Sequence, residues 1–379
     1  MKVESFIFTE IETYMLGLLR YGILGERPSQ LLPSTEVDWE KMLDVAATQG
    51  LLAWVWDGIS MLPKENQPPR LSSINWGLSA QEIWDRYHVH ERVLKQMLDV
   101  CTQNNIRLLL FKGIALSKLF PKPESRPSGD IDIYLFEDYR KGDELFAHTN
   151  VTHTNKRTGF DYHGVHVENH RIFLNAYTQL QIDAIKFLEG TLGDVRQTED
   201  GYYIMSPIAD IVYQVMHFIA HFDDASASLS LKFLVDFGVT LQNYYDIVSP
   251  EALKEVLKTL KIVDVFCLML SMVETVMSLK FERYRFSSIP SEDEKAIFQL
   301  IMRRPKEFVP LVERGLRDRI KFYVARYKQF DRLFKYLPIS RYGFLFKAFK
   351  EIVSTSFRRL FKIPADMPYS TYIKNIVKN

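Results

Sequence analysis

Two aspartates one residue apart, Asp130 and Asp132, open the short run Asp130–Leu135, and a third carboxylate, Glu168, lies within Asp161–Arg171 (DYHGVHVENHR). Side chains alternate along a strand, so Asp130, Asp132 and Tyr134 share one face while Ile131, Ile133 and Leu135 share the other. The apolar face is core. The acidic face holds two carboxylates close enough to grip one divalent metal. In the second run Val165, Val167 and Asn169 face one way, and His166, Glu168 and His170 the other. Mg²⁺ prefers a few carboxylate oxygens completed by phosphate oxygens and water, so acids in this pattern point to phosphate chemistry. An acid pair at i, i+2 also decorates ordinary solvated strands. Gly113 upstream and Glu168 downstream lift this pair above that reading, with Asp132 expected as an open cleft acid.

The elements that must position these groups surround them. The apolar run Leu108–Phe111 has the length and flanks of a buried strand. It stops at Lys112-Gly113, and Ile114, Leu116 and Leu119 follow at helical spacing. A loop rich in proline and charge, Pro121–Gly129, then delivers the acidic strand. Lys112 and Arg126 are the nearest cations, one a point charge and the other a planar fork suited to phosphate oxygens. A loop salt bridge is the plainer role for Arg126.

Upstream, apolar positions at helical spacing cover residues 5–24 and 38–62, with Gly50 a break, and a proline linker occupies Pro63–Pro69. Ile83, Tyr87, Leu94, Met97 and Cys101 form a helical stripe over Ser79–Asn104. Downstream, residues 137–148 read as a helix, whereas Asn175–Tyr203 shows weak periodicity and leaves Asp183 unplaced. Ser206-Pro207 opens a helix with an N-cap and a proline at its first position. His217 and His221 then share a face with Asp210 and Gln214. An i, i+4 histidine pair can bind zinc, but only Asp223, Asp224 or Asp236 offers a third ligand, so packing beside the cleft, with Asp236 as a partner, is the better reading. Lys232 and Asp236 lie at the same spacing on the next helix, Ser230–Tyr244, as a surface pair or with Lys232 reaching phosphates. Further helical patterns cover 250–277 and 292–302. Residues 314–362 are rich in basic and aromatic side chains, as an amphipathic tail or as a contact for an anionic surface.

Composition sets the bounds. With 379 residues, 47% hydrophobic and 25% charged, the chain is a globular protein with ample core. A net charge of +1 excludes a polyanionic or polycationic chain. The two cysteines, Cys101 and Cys267, sit in apolar helical patterns and fit a reducing compartment. Glu4, Glu10 and Glu12 spoil the N-terminus as a signal peptide, and Asp264 and Glu274 interrupt the most apolar internal segment. No transmembrane segment and a cytoplasmic location are expected.

The stretch Asn105–Leu135 resembles a bacterial family of nucleotidyltransferases within the DNA polymerase β-like superfamily. Its pattern is an apolar run, Lys-Gly, an Ala-rich helix, Pro, Arg and Gly-Asp-x-Asp. The matching residues are Leu108–Phe111, Lys112-Gly113, Ile114-Ala115-Leu116, Pro121, Arg126 and Gly129-Asp130-Ile131-Asp132. Val167-Glu168-Asn169-His170 fits the family's Val-Glu-x-His strand, and Ser206-Pro207, His217, His221 and Asp236 fit its later helical signature. The resemblance covers roughly the middle third of the chain, with a looser N-terminal match. Many superfamily members carry Gly-Ser or Gly-Gly at the turn. Here Ile114 follows Gly113, so Lys112, Ser117 or backbone amides must hold the phosphates instead.

The resemblance implies an α/β (α+β) fold with a small mixed-sheet core at 105–204, an N-terminal helical layer at 1–104, a helical domain at 205–310 and the basic tail at 311–379. It implies transfer of a nucleoside monophosphate from an NTP, with two Mg²⁺ ions held by Asp130, Asp132 and Glu168, and nucleotide contacts from Lys112, Gly113, Ser117, Arg126 and Lys232. The acceptor stays open among protein, RNA and small molecule. Two alternatives stand beside it. A sugar-nucleotide glycosyltransferase also uses Asp-x-Asp with a metal, but needs a βαβ unit ahead of it, where residues 1–104 read as helices. A non-catalytic interaction protein that retains the core is the other.

Overall fold

Helices come first, as the apolar stripes require. In the computed structural model, which describes residues 8–27, 36–176, 178–223, 229–302, 315–330, 334–336, 345 and 349, α1 spans Glu10–Leu24. Its N-terminus is closed by a capping box between Thr9 and Glu12 and its C-terminus by Gly25 in the left-handed conformation. α2 (Trp39–Thr48) and α3 (Leu52–Ser60) are separated at Gly50, at φ 69°. α1 and α3 touch backbone to backbone, since a Cβ on Gly58 would lie 2.0 Å from Leu18 O and one on Gly22 2.1 Å from Trp54 O.

The long helix α4 runs Arg70–Gln103, starting earlier than the expected Ser79. Buried Trp76 and Ala80 extend its inward stripe toward the N-terminus, and Pro69 sits just outside it, where a missing N–H is harmless.

The core then forms in the order β1 (Leu109–Phe111), α5 (Gly113–Ser117), β2 (Ile131–Tyr134), α6 (Tyr139–Phe146), β3 (Thr152–His153), β4 (Arg157–Tyr162), β5 (Val165–His170), α7 (Gln179–Gly190), β6 (Arg196–Gln197) and β7 (Tyr203–Ile204). These strands make one mixed sheet in the order β3-β4-β5-β2-β1-β7-β6. β2 lies antiparallel to β1 and parallel to β5, and β4 and β5 form an antiparallel hairpin. Leu108, Leu110, Ile131, Ile133, Leu135, Val165 and Val167 pack with Val93, Leu94, Met97 and Cys101 of α4 in one cluster. Alternation sends the acids to the opposite face.

The remaining helices are α8 (Pro207–Asp223), α9 (Leu231–Tyr244), α10 (Pro250–Thr259), α11 (Val263–Met277), α12 (Ser291–Met302) and α13 (Leu316–Phe330). Described residues within 1–218 and 230–289 form one compact unit, and those within 219–229 and 290–379 a second. In the second, Ile297, Phe298 and Ile301 of α12 are buried, and the Tyr336 hydroxyl donates to Asp293. Much of the basic tail lies outside the described residues. Cys101 and Cys267 are free and buried. Among the described residues no helix is long and apolar enough to cross a membrane.

Candidate active site

The turn between β1 and α5 is strained. Lys112 sits at φ 58°, ψ −149°, a region that ordinarily admits only glycine and costs a side chain about 1–3 kcal/mol. A buried ion pair holds it there, with Nζ 2.8 Å from Asp132 Oδ1. Gly113 follows at φ 28°, where a Cβ would lie 3.0 Å from Ser128 Oγ and 3.1 Å from Asp130 O. A side chain here is strained by its φ and requires Ser128 Oγ and the Asp130 carbonyl to give way. The Gly113 carbonyl accepts from Ser117 Oγ at 3.2 Å and from Arg126 Nη1 at 2.7 Å.

Register sets the acids side by side. Asp132 pairs with Phe111 across β1 and with Glu168 across β5, and Tyr134 pairs with His170. His170 Nε2 lies 2.8 Å from Asp132 Oδ1 and 3.2 Å from Glu168 Oε2. Both neighbours only accept when ionised, so this nitrogen carries the proton. Asp132 is 2% exposed, in contrast to the expected open cleft acid, because Phe111, Lys112 and His170 close over it. Burial pushes its carboxyl up, but Lys112 and His170 outweigh that and hold it well below the usual carboxylate range. Burial likewise pulls Lys112 down, and the Asp132 charge more than reverses it. Asp130 precedes β2 and is half-buried; burial, then the charges of Asp132 and Glu168, raise its carboxyl.

Three more groups complete the site, and sequence reasoning gave none of them a role. Arg157 opens β4 opposite His170, with Nη2 2.8 Å from Glu168 Oε1. Lys156 beside it is half-buried, and its amine is pushed down to about 8 by burial and by the Lys112 and Arg157 charges. The Tyr213 hydroxyl of α8 is buried near Lys112 and makes no hydrogen bond of good geometry. A signal for β4 was present: Arg157–Tyr162 alternates, and His163-Gly164, both at positive φ, form the tight turn into β5.

The other expected contacts lie behind the turn. Arg126 is 3% exposed, and its Nε and Nη2 fork onto Asp236 at 2.7 and 2.8 Å. Lys232 Nζ is 3.0 Å from the same carboxylate. Asp236 therefore partners two cations rather than a histidine, and they hold its carboxyl low against the opposing effect of burial. Ser117 is fully buried on the Gly113 carbonyl. His217 stacks on Tyr213 and lies against Phe233, while His221 falls in the second unit. Asp183, on α7, accepts from Gln179.

One ligand atom each from Asp132, Glu168 and His170 lies within 4.8 Å of the others, all buried. Two carboxylates and an imidazole, cradled on one sheet face, could hold a divalent cation, with the His170 Nε2 proton released when the imidazole takes part. Acids on adjacent strands thus converge beside a lysine–glycine turn, in a buried cluster that could hold a metal. Residues 35–278 match the sequence model of a family described as uncharacterised nucleotidyltransferase, and the chain belongs to that family. No curated protein and no solved structure matches it.

Proposed function

We propose that this protein is a Mg²⁺-dependent nucleotidyltransferase that moves a nucleoside monophosphate from an NTP to an acceptor. The observation that carries this reading is the register of Asp132 against Glu168, with Lys112-Gly113 at the end of the adjoining strand. Asp130, Asp132 and Glu168 are the groups to hold the metal, and His170 braces the last two. Bound Mg²⁺ supplies charge stabilisation on the phosphates and acidifies the acceptor oxygen. The acceptor hydroxyl gives up its proton to solvent, its oxygen bonds to the α-phosphorus, the bond to the bridging oxygen breaks, and pyrophosphate leaves. Lys112 supplies positive charge next to the acids. Arg126, pinned between Asp236 and the Gly113 carbonyl, positions the turn.

The described residues ahead of β1 hold no strand, so the βαβ unit that a glycosyltransferase needs is missing from them. An interaction protein gains little from burying Asp132 and Glu168, since even paired with Lys112 and Arg157 their desolvation can exceed the Coulombic gain.

The test is incubation with each α-labelled NTP and Mg²⁺, following pyrophosphate release and label on protein, RNA or small molecules. Asp132→Asn should lower the rate on the order of a thousandfold or more. Because Asp132 is buried, the half-buried Asp130→Asn is run beside it with thermal midpoints for both. Full activity in both variants, or no transfer from any NTP, would hand the site to the interaction-protein reading.

A further inference from the structure

The acids are already occupied by the protein's own cations. Lys112 Nζ is 2.8 Å from Asp132 Oδ1, and Arg157 Nη2 is 2.8 Å from Glu168 Oε1. These carboxylates belong to the set that converges for a divalent cation. A metal arriving alone must displace two positive charges and then sit beside them. We propose that Arg157, together with Lys112, stands in for the metal in the ligand-free protein and passes to the triphosphate when the metal is held, so that metal and polyphosphate bind as a coupled pair. The inference rests on the nucleotidyltransferase reading for the identity of the polyphosphate.

Position and charge both support the exchange. The β4–β5 ladder fixes the Arg157 backbone, while its side chain is 37% exposed, so it can leave Glu168 by rotation alone. Its planar fork suits two phosphate oxygens as well as it suits a carboxylate. Lys156, next in the chain, has no carboxylate at hydrogen-bond distance, and burial, then the Lys112 and Arg157 charges, push its amine down to about 8. Three acids (Asp130, Asp132, Glu168) thus face three basic side chains, a formally balanced set. One added metal unbalances it. A tetra-anionic nucleotide carrying two divalent cations restores the balance, and it gives Lys156 the anion it lacks.

The test uses the full chain with two probes, Mn²⁺ followed by electron paramagnetic resonance and inorganic tripolyphosphate followed by calorimetry, each alone and together. Loss of one charge-assisted hydrogen bond corresponds to about tenfold in affinity. Arg157→Met should therefore bind Mn²⁺ alone about tenfold more tightly, tripolyphosphate alone with unchanged affinity, and tripolyphosphate in the presence of Mn²⁺ about tenfold more weakly, which lowers the coupling between them about tenfold. Arg157→Lys, which keeps the charge without the fork, should fall between. A purely structural Arg157 would weaken both ligands together and lower the thermal midpoint, and that result overturns the proposal. So does Mn²⁺ binding that stays the same or weakens in Arg157→Met. Binding of the α,β-methylene analogues of the four NTPs to the wild type is measured in parallel. If none binds while Mn²⁺ and tripolyphosphate remain coupled through Arg157, the nucleotidyltransferase reading fails and the exchange stands.

Discussion

Replacing Arg126 with methionine separates two jobs for one guanidinium. If Arg126 held phosphate, its loss would raise the KM for NTP and spare the fold. The geometry says otherwise: all three of its nitrogens are committed, two to Asp236 at 2.7 and 2.8 Å and one to the Gly113 carbonyl at 2.7 Å. The side chain is 3% exposed and Asp236 is 7% exposed. Removing one partner of a buried pair costs about 3–5 kcal/mol, because the other charge is left uncompensated. Lys232 stays 3.0 Å from Asp236, and Ser117 still donates to Gly113, so the lower end applies, about 3 kcal/mol. For a unit of this size that is roughly 5 °C in thermal midpoint. Midpoints by circular dichroism, with pyrophosphate release on the same preparations, read both consequences. Arg126→Met combined with Asp236→Asn should not regain the loss, because Lys232 then loses the carboxylate it pairs with. A midpoint within a degree of wild type, with only the KM raised, would refute the strut and put the guanidinium on phosphate.

Two further outcomes follow from the same site. Gly113→Ala places a Cβ 3.0 Å from Ser128 Oγ at φ 28°, so it should lose about 1–3 kcal/mol and most of its activity as Lys112 is drawn off Asp132; an unchanged midpoint and rate would contradict the turn's role. Asp210, bonded to Gln214 and Tyr244, has its carboxyl raised to about 6, chiefly by burial. The folded state therefore holds that proton more tightly than the unfolded chain does. Its stabilising contribution is full below an unfolded value near 4 and is lost as pH rises through about 6. Asp210→Asn should remove that part of the slope between pH 4.5 and 7.5, measured as midpoints, and an unaltered slope would count against it.

Much of the site was legible in the sequence because strand alternation is local. Asp130, Asp132, Glu168 and His170 could be assigned to polar faces from their parity alone, and the glycine after Lys112 marked the turn. The apolar stripes gave the helical layer, although the start of α4 needed the tertiary burial of Trp76 and Ala80. The hairpin partner of β5 was there to be read in Arg157–Tyr162, but a short polar strand has little apolar contrast to announce it. What only the tertiary structure decided was which charges meet. Arg126 and Asp236 lie 110 residues apart, and Lys112 and Asp132 lie 20 apart. Neither spacing distinguishes a guanidinium aimed at phosphate from one buried on a carboxylate. Alternation fixes the face a side chain takes, because it depends only on the chain's own geometry. Register and burial fix its partner, and they depend on how distant segments pack.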